Sequence, residues 1–135
     1  MKITVPARTN YFSVLKEFIR GYVAVSAKEQ GLPEIASDAM NDIFVVSDEI
    51  FSNIVKYSNM PVDEHITIAL MLIPGKISLE FRDSGREFNP LKYKIPITQQ
   101  PRSCKNGVLM ITNMMDKCYY EFKDGQNIFT VCKNV

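Results

Sequence analysis

Membrane-length apolar runs, charge of one sign and paired cysteines are all missing from this 135-residue chain. No apolar stretch approaches the roughly 20 residues that a helix needs to cross a bilayer, and the N-terminal MKITVPARTN has no apolar core of signal-peptide length. A cytoplasmic protein with no membrane contact is expected. Sixteen basic and 15 acidic residues leave a formal net charge of +1, evenly spread. That excludes a global electrostatic footprint for nucleic acid or anionic lipid, so partners must be chosen by local sites. Cysteine is sparse. Cys104, Cys118 and Cys132 are odd in number and lack CxxC spacing, which argues against a disulfide framework and against a zinc site. They read as small apolar residues, the alternative being that Cys118 and Cys132 face each other across a hairpin. The single histidine, His65, stands at a strand start and reads as a structural or exposed strand residue. Repeats and low-complexity tracts are also absent.

Enough apolar content is present, 46%, to build one core in one domain, residues 1–135. Met1 to Val5 reads as a strand. Thr9 or Asn10 is expected to cap a helix in which Leu15, Phe18, Ile19, Tyr22 and Val23 recur at helical spacing up to about Gln30. Gly31-Leu32-Pro33 breaks it, and Ser37 or Asp38 opens a second helix to about Ser58. From His65 the period becomes two. Ile66, Ile68, Leu70 and Leu72 alternate, Pro74-Gly75 turns, and Ile77, Leu79 and Phe81 alternate again. Residues 83 to 106 show no period, contain three prolines and read as a long functional loop. A short helix fits Gly107 to Asp116 with Asn106 as cap, its Met110, Met114 and Met115 reading as core. A second hairpin, Cys118 to Phe122 and Asn127 to Lys133, turns at Asp124-Gly125. Two antiparallel hairpins with helices to cover one sheet face predict an α+β two-layer sandwich.

Three short patterns carry polar chemistry. In DEIFSN, Glu49 and Asn53 lie four apart on a helix, so a carboxylate and a carboxamide project from one face, which Lys56 extends. A carboxylate can take a proton, and an amide oxygen can enter the oxygen shell of Mg²⁺. In FRDSGREFNP, Asp83 sits where a strand runs out and can accept from an exocyclic amine, while Gly85 lets the backbone approach a flat ligand. In SCKNGVLMITNMMD, Gly107 opens a helix whose free N–H groups can hold a phosphate. Taken singly these are ordinarily a solvated helix face, a charged turn and a helix start.

In that order and spacing, the three patterns resemble the N, G1 and G2 boxes of the GHKL ATPase superfamily. Within it they are most similar to bacterial anti-sigma factors that are also serine protein kinases. EIFSNIVKYSN, FRDSGREFNP and NGVLMITNMMD carry the likeness, which spans nearly the whole chain. The resemblance implies the Bergerat ATP-binding fold, a mixed, mostly antiparallel sheet covered by helices on one face. It implies ATP and Mg²⁺ as cofactors, with Glu49 as general base, Asn53 on the metal, and Asp83 on the adenine amino group. Gly85 would make room for the base and Gly107 would meet the phosphates. It implies an anti-anti-sigma (STAS-type) protein as phosphoacceptor, a sigma factor as the second partner, and homodimers as a common assembly. Three positions depart from the pattern. Lys105 replaces the first glycine of the G2 box, and its ammonium offers a phosphate contact instead. Tyr57 stands where a histidine is frequent, and Gln126 where a threonine is. Two readings follow: a kinase, or a nucleotide-binding adaptor of the same fold that acts only by protein binding. A sensor-kinase catalytic domain lacks support, because no helix offers a phosphoacceptor histidine.

Overall fold

Period-two segments become strands and i, i+3, i+4 segments become helices. The computed structural model describes residues 1–57, 64–91 and 107–135. The elements are β1 (Lys2–Pro6), a 3-10 turn (Thr9–Tyr11), α1 (Phe12–Glu29), α2 (Ser37–Tyr57), β2 (His65–Ile73), β3 (Lys76–Asp83), α3 (Gly107–Met114), β4 (Lys117–Lys123) and β5 (Gln126–Asn134). One sheet has the strand order β1-β2-β3-β5-β4, and each neighbouring pair is antiparallel. The α+β sandwich is as expected. Its sheet is antiparallel at every pairing among the described residues, because the connections through α1–α2 and through α3–β4 bring the chain back in the opposite sense.

The turns follow from their residues. Gly75 adopts φ +80° between β2 and β3. Asp124 and Gly125 adopt φ 54° and 75°, both positive as a type I′ hairpin turn demands. Helix α1 ends in a Schellman motif: Gly31 has φ 66°, Leu32 N–H donates to Ala27 O at 2.8 Å, and Gly31 N–H donates to Lys28 O at 3.2 Å. Its start departs from expectation. Neither Thr9 nor Asn10 caps it through a side chain, because the chain enters through the 3-10 turn and Tyr11 takes the N-cap position. The proposed Asn106 cap of α3 lies outside the described residues.

The buried face of the sheet is a ladder of matched pairs. Leu79 opposes Val131 and Phe81 opposes Phe129, and Ile68 and Leu70 continue these rows on β2. Against this face pack Leu15 and Ile19 of α1, Ile43, Ile50, Phe51 and Ile54 of α2, and Ile111 of α3. Burying one such side chain contributes about 1.5–3 kcal/mol, which orders three helices over one sheet face. Met114 and Met115 join this core. Cys118 and Cys132 do not face each other. Cys118 opposes Val131 and Cys132 opposes Lys117, so the two thiols point to opposite faces and both are free. Among the described residues no helix is long and apolar enough to cross a membrane.

Candidate functional site

The same ladder that builds the core ends in a polar rung. One step beyond Phe81 and Phe129, the register places Asp83 of β3 directly opposite Asn127 of β5. Both are buried, 3% and 4% exposed. Asn127 Nδ2 donates to Asp83 Oδ1 at 3.0 Å, and the Gly85 N–H donates to the same oxygen at 2.9 Å. Asn127 also holds the segment that follows β3. Its Nδ2 donates to Arg86 O at 2.9 Å and to Gly85 O at 3.3 Å, and its Oδ1 accepts the Phe88 N–H at 2.9 Å. Tyr120 of β4 donates its hydroxyl to that same Oδ1. Burial pushes the Tyr120 phenol above its ordinary value, aided by the charges of Glu87 and Asp83 and opposed by the Phe88 N–H. It therefore remains an O–H donor at neutral pH.

Helix α2 forms the opposite wall. Ile50, Asn53 and Ile54 line a cavity of about 20 Å³ together with Asp83, Phe88, Pro90, Ile111, Tyr120, Asn127 and Phe129. That volume holds about one water molecule. The segment after β3 closes it: Phe88 stacks on Tyr57 with ring centroids 5.4 Å apart, and Arg86 Nη2 donates to Tyr57 O, near the end of α2, at 3.1 Å. Asn53 and Asp83 therefore line the same cavity from opposite walls. Glu49 is half-buried one turn earlier on α2 and is not part of the cavity wall. Lys56 is exposed. The Asn53 carboxamide and the Glu49 carboxylate make no hydrogen bond or ion pair among the described residues. A half-buried carboxamide with no such internal partner suits a hard cation that needs an oxygen ligand, so Asn53 fits magnesium.

Gly85 lies at the corner beside Asp83, and Gly107 begins α3, whose Ile111 reaches the cavity. Lys105 lies outside the described residues. Arg82, next to Asp83 on β3, faces away from the cavity lining. It pairs with Glu80, and that bond raises its guanidinium pKa further. A wider groove of about 380 Å³ runs between α1 and the start of α2, walled by Val23, Ala27, Leu32, Ile35 and Met40. It brings no buried polar side chain to a point, unlike the smaller cavity.

A profile of the histidine kinase-like ATPase domain matches residues 13–133. The chain belongs to this family. The match takes in α2, the Asp83 corner, α3 and both strands of the last hairpin, so every residue of the cavity falls inside the ATPase-domain region. Among solved structures, the RsbU and RsbW domains of Rv1364c from Mycobacterium tuberculosis share the fold, with a TM-score of 0.66 and 14% identity. The likeness covers 99% of this chain and 32% of that one, so this histidine kinase-like ATPase chain spans about a third of the solved chain's length. No curated protein sequence matches it.

Asn127, Tyr120 and Arg86 are the residues that sequence reading passes over. For Asn127 a signal exists. In Asn127, Phe129 and Val131 a carboxamide takes an inward position of an alternating strand, and a polar residue on a buried face requires partners.

Proposed function

We propose that this chain binds ATP with magnesium in the cavity between α2 and the Asp83 corner. We further propose that it phosphorylates a serine of an anti-anti-sigma (STAS-type) protein and so controls a sigma factor by partner switching. The observation that carries the nucleotide part is Asp83. It is a nearly inaccessible carboxylate at the edge of an apolar cavity, on a chain of the histidine kinase-like ATPase family. A carboxylate held there accepts a hydrogen bond from the 6-amino group of adenine, which the 6-carbonyl of guanine cannot supply. Ile50, Ile54, Ile111 and Phe129 offer the faces of the base an apolar lining. Because the cavity is small, entry of the base requires the side chains of Phe88 and Pro90 to move aside, while the Phe88 N–H stays bonded to Asn127.

On the phosphate side the chain contributes Asn53 to the metal and the first N–H groups of α3, from Gly107, to the phosphate oxygens. Lys105 adds an ammonium by the sequence reading. Asn53 would hold magnesium, which would supply positive charge to offset what develops on the transferred phosphoryl group. Glu49, one turn before Asn53 on the same helix, accepts the proton of the attacking serine hydroxyl as its oxygen bonds to the γ-phosphorus and the bond from that phosphorus to the bridging oxygen breaks, releasing ADP.

A second reading keeps nucleotide binding and drops transfer, leaving an adaptor that works by protein binding. One observation favours it: Lys105-Asn106-Gly107 departs from the glycine pair of the G2 box. Calorimetry with Mg²⁺-ATP, followed by incubation with a STAS-type partner and mass spectrometry for phosphoserine, separates the readings. One saturable site and a phosphoserine support the kinase. Binding without phosphoserine supports the adaptor, and the absence of any binding sinks the nucleotide site.

A further inference from the structure

Asn127 spends its whole hydrogen-bonding capacity inside the protein. A carboxamide offers two N–H donors and two acceptor lone pairs. Here the donors go to Asp83 Oδ1 at 3.0 Å and Arg86 O at 2.9 Å, with a longer shared contact to Gly85 O at 3.3 Å. The lone pairs take the Phe88 N–H at 2.9 Å and the Tyr120 hydroxyl. The surroundings also fix which end of the amide is which. Rotated by 180°, its oxygen would meet the Asp83 carboxylate and two carbonyls, and its nitrogen would meet two donors. With nothing left over for a ligand, Asn127 acts through its neighbours.

Those neighbours are Asp83, Tyr120, and Gly85, Arg86 and Phe88 of the segment that closes the cavity. Two N–H donors on Asp83 Oδ1, from Asn127 and Gly85, fix the plane of the carboxylate. The bonds to Gly85, Arg86 and Phe88 fix the path of the segment that carries Gly85. We propose that Asn127 is the positioning residue of the base site. Its carboxamide, braced by the Tyr120 hydroxyl, aims the Asp83 carboxylate and so sets the preference for a nucleotide bearing a 6-amino group. This rests on the nucleotide reading above and adds the residue that makes it selective.

The test compares two ligands on the purified full chain by calorimetry: Mg²⁺-ATP, and the Mg²⁺ complex of purine riboside 5′-triphosphate, which lacks the 6-amino group. Wild type is expected to prefer ATP by about tenfold or more, the scale of one hydrogen bond to a charged group. In Asn127→Ala the preference falls below about threefold. In Tyr120→Phe, which keeps the ring and removes only the brace on Asn127, it falls part of the way and serves where the alanine variant does not fold. Val131→Ala, a core truncation away from the cavity, lowers thermal stability and leaves the ratio at the wild-type value. A purely structural role for Asn127 predicts that all three variants lose stability and keep the ratio, and that result overturns the inference alone. A wild type that binds ATP without preferring it to the analogue overturns both the inference and the role of Asp83. A wild type that binds neither overturns the nucleotide reading itself.

Discussion

At the Asp83 corner the polar side chains bond one another, whereas on α2 the Glu49 carboxylate and the Asn53 carboxamide bond nothing among the described residues. The corner is assembled by folding. Strand register sets Asp83 against Asn127, and the segment after β3 is tied to that pair. The α2 face is only presented by folding, since helical spacing aligns its two groups and nothing within the described chain consumes them. Recognition of a base gains from rigidity, because a carboxylate already aimed loses little freedom on binding. Proton transfer and metal ligation need groups whose bonding capacity is still unspent when the substrate arrives. On the proposed function, the difference would separate a part that selects from a part that reacts.

The largest expected effect lies on the reacting side. Glu49→Gln keeps the shape of the side chain and removes its basicity, so phosphoserine formation on a STAS-type partner should fall by about 10²–10⁴-fold. The affinity for Mg²⁺-ATP and the melting temperature should stay at wild-type values, because Glu49 bonds no described side chain. A matching loss of stability would show that the α2 face is part of the fold after all. Next comes the selecting side. Asp83→Asn still offers an oxygen to Asn127 Nδ2 and the Gly85 N–H, but sets an NH₂ group where the second carboxylate oxygen was. Two donors then meet at the adenine amine, and ATP affinity should fall by about 10–100-fold with only a small change in melting temperature. Unchanged affinity in calorimetry would mean that the corner does not read the base.

Most of the architecture was legible because it is periodic. The alternation in Ile77, Leu79 and Phe81 and the helical spacing around Ile50 and Ile54 place strand, helix and buried face with no knowledge of partners. Asp83 stands out through the order and spacing of the three patterns rather than by itself, since alone an acidic residue two before a glycine makes an ordinary local turn, and the Gly85 N–H bond to its Oδ1 is of that kind. Asn127 shows in the sequence only as a polar residue at an inward strand position; its partner was hidden, because the pairing spans 44 residues and register is a non-local quantity. The closing contacts of Arg86 and Phe88 with Tyr57 are hidden for the same reason, as they join a loop to a helix about 30 residues earlier. The Thr9 or Asn10 cap was misread, because a 3-10 turn spends the residues that would otherwise start the helix.

Strand β5 offers a control for the comparison, since its far end carries a second polar anchor unrelated to the cavity. Lys133 donates to Met114 O at the end of α3 at 2.7 Å and pairs with Asp42 of α2 at 3.2 Å. Its side chain is mostly buried, so Lys133→Met should cost about 1–3 kcal/mol in denaturant unfolding. ATP should still be preferred over the analogue without a 6-amino group. If that selectivity also collapsed, the aim of Asp83 would depend on the whole strand, and the corner could not be treated as a local device.

The smallest effect is on alkaline stability, and it divides between two groups. Burial raises the Cys118 thiol, with the nearby Cys132 adding to it, and burial also raises the Tyr120 phenol. A raised acid of this kind keeps its proton longer folded than unfolded, so its contribution is fully present below the unfolded value. It is lost as pH climbs from that value through the folded one. Stability should therefore decline above roughly pH 8.5 for Cys118 and again above about pH 10 for Tyr120. In guanidinium midpoints measured from pH 8 to 11, Cys118→Ala should flatten the first decline. Tyr120→Phe should flatten the second while sitting lower at every pH, because the donor to Asn127 is gone. If the second decline survived in Tyr120→Phe, the phenol would not be what makes the corner sensitive to alkali, and its brace on Asn127 would carry little of the corner's rigidity.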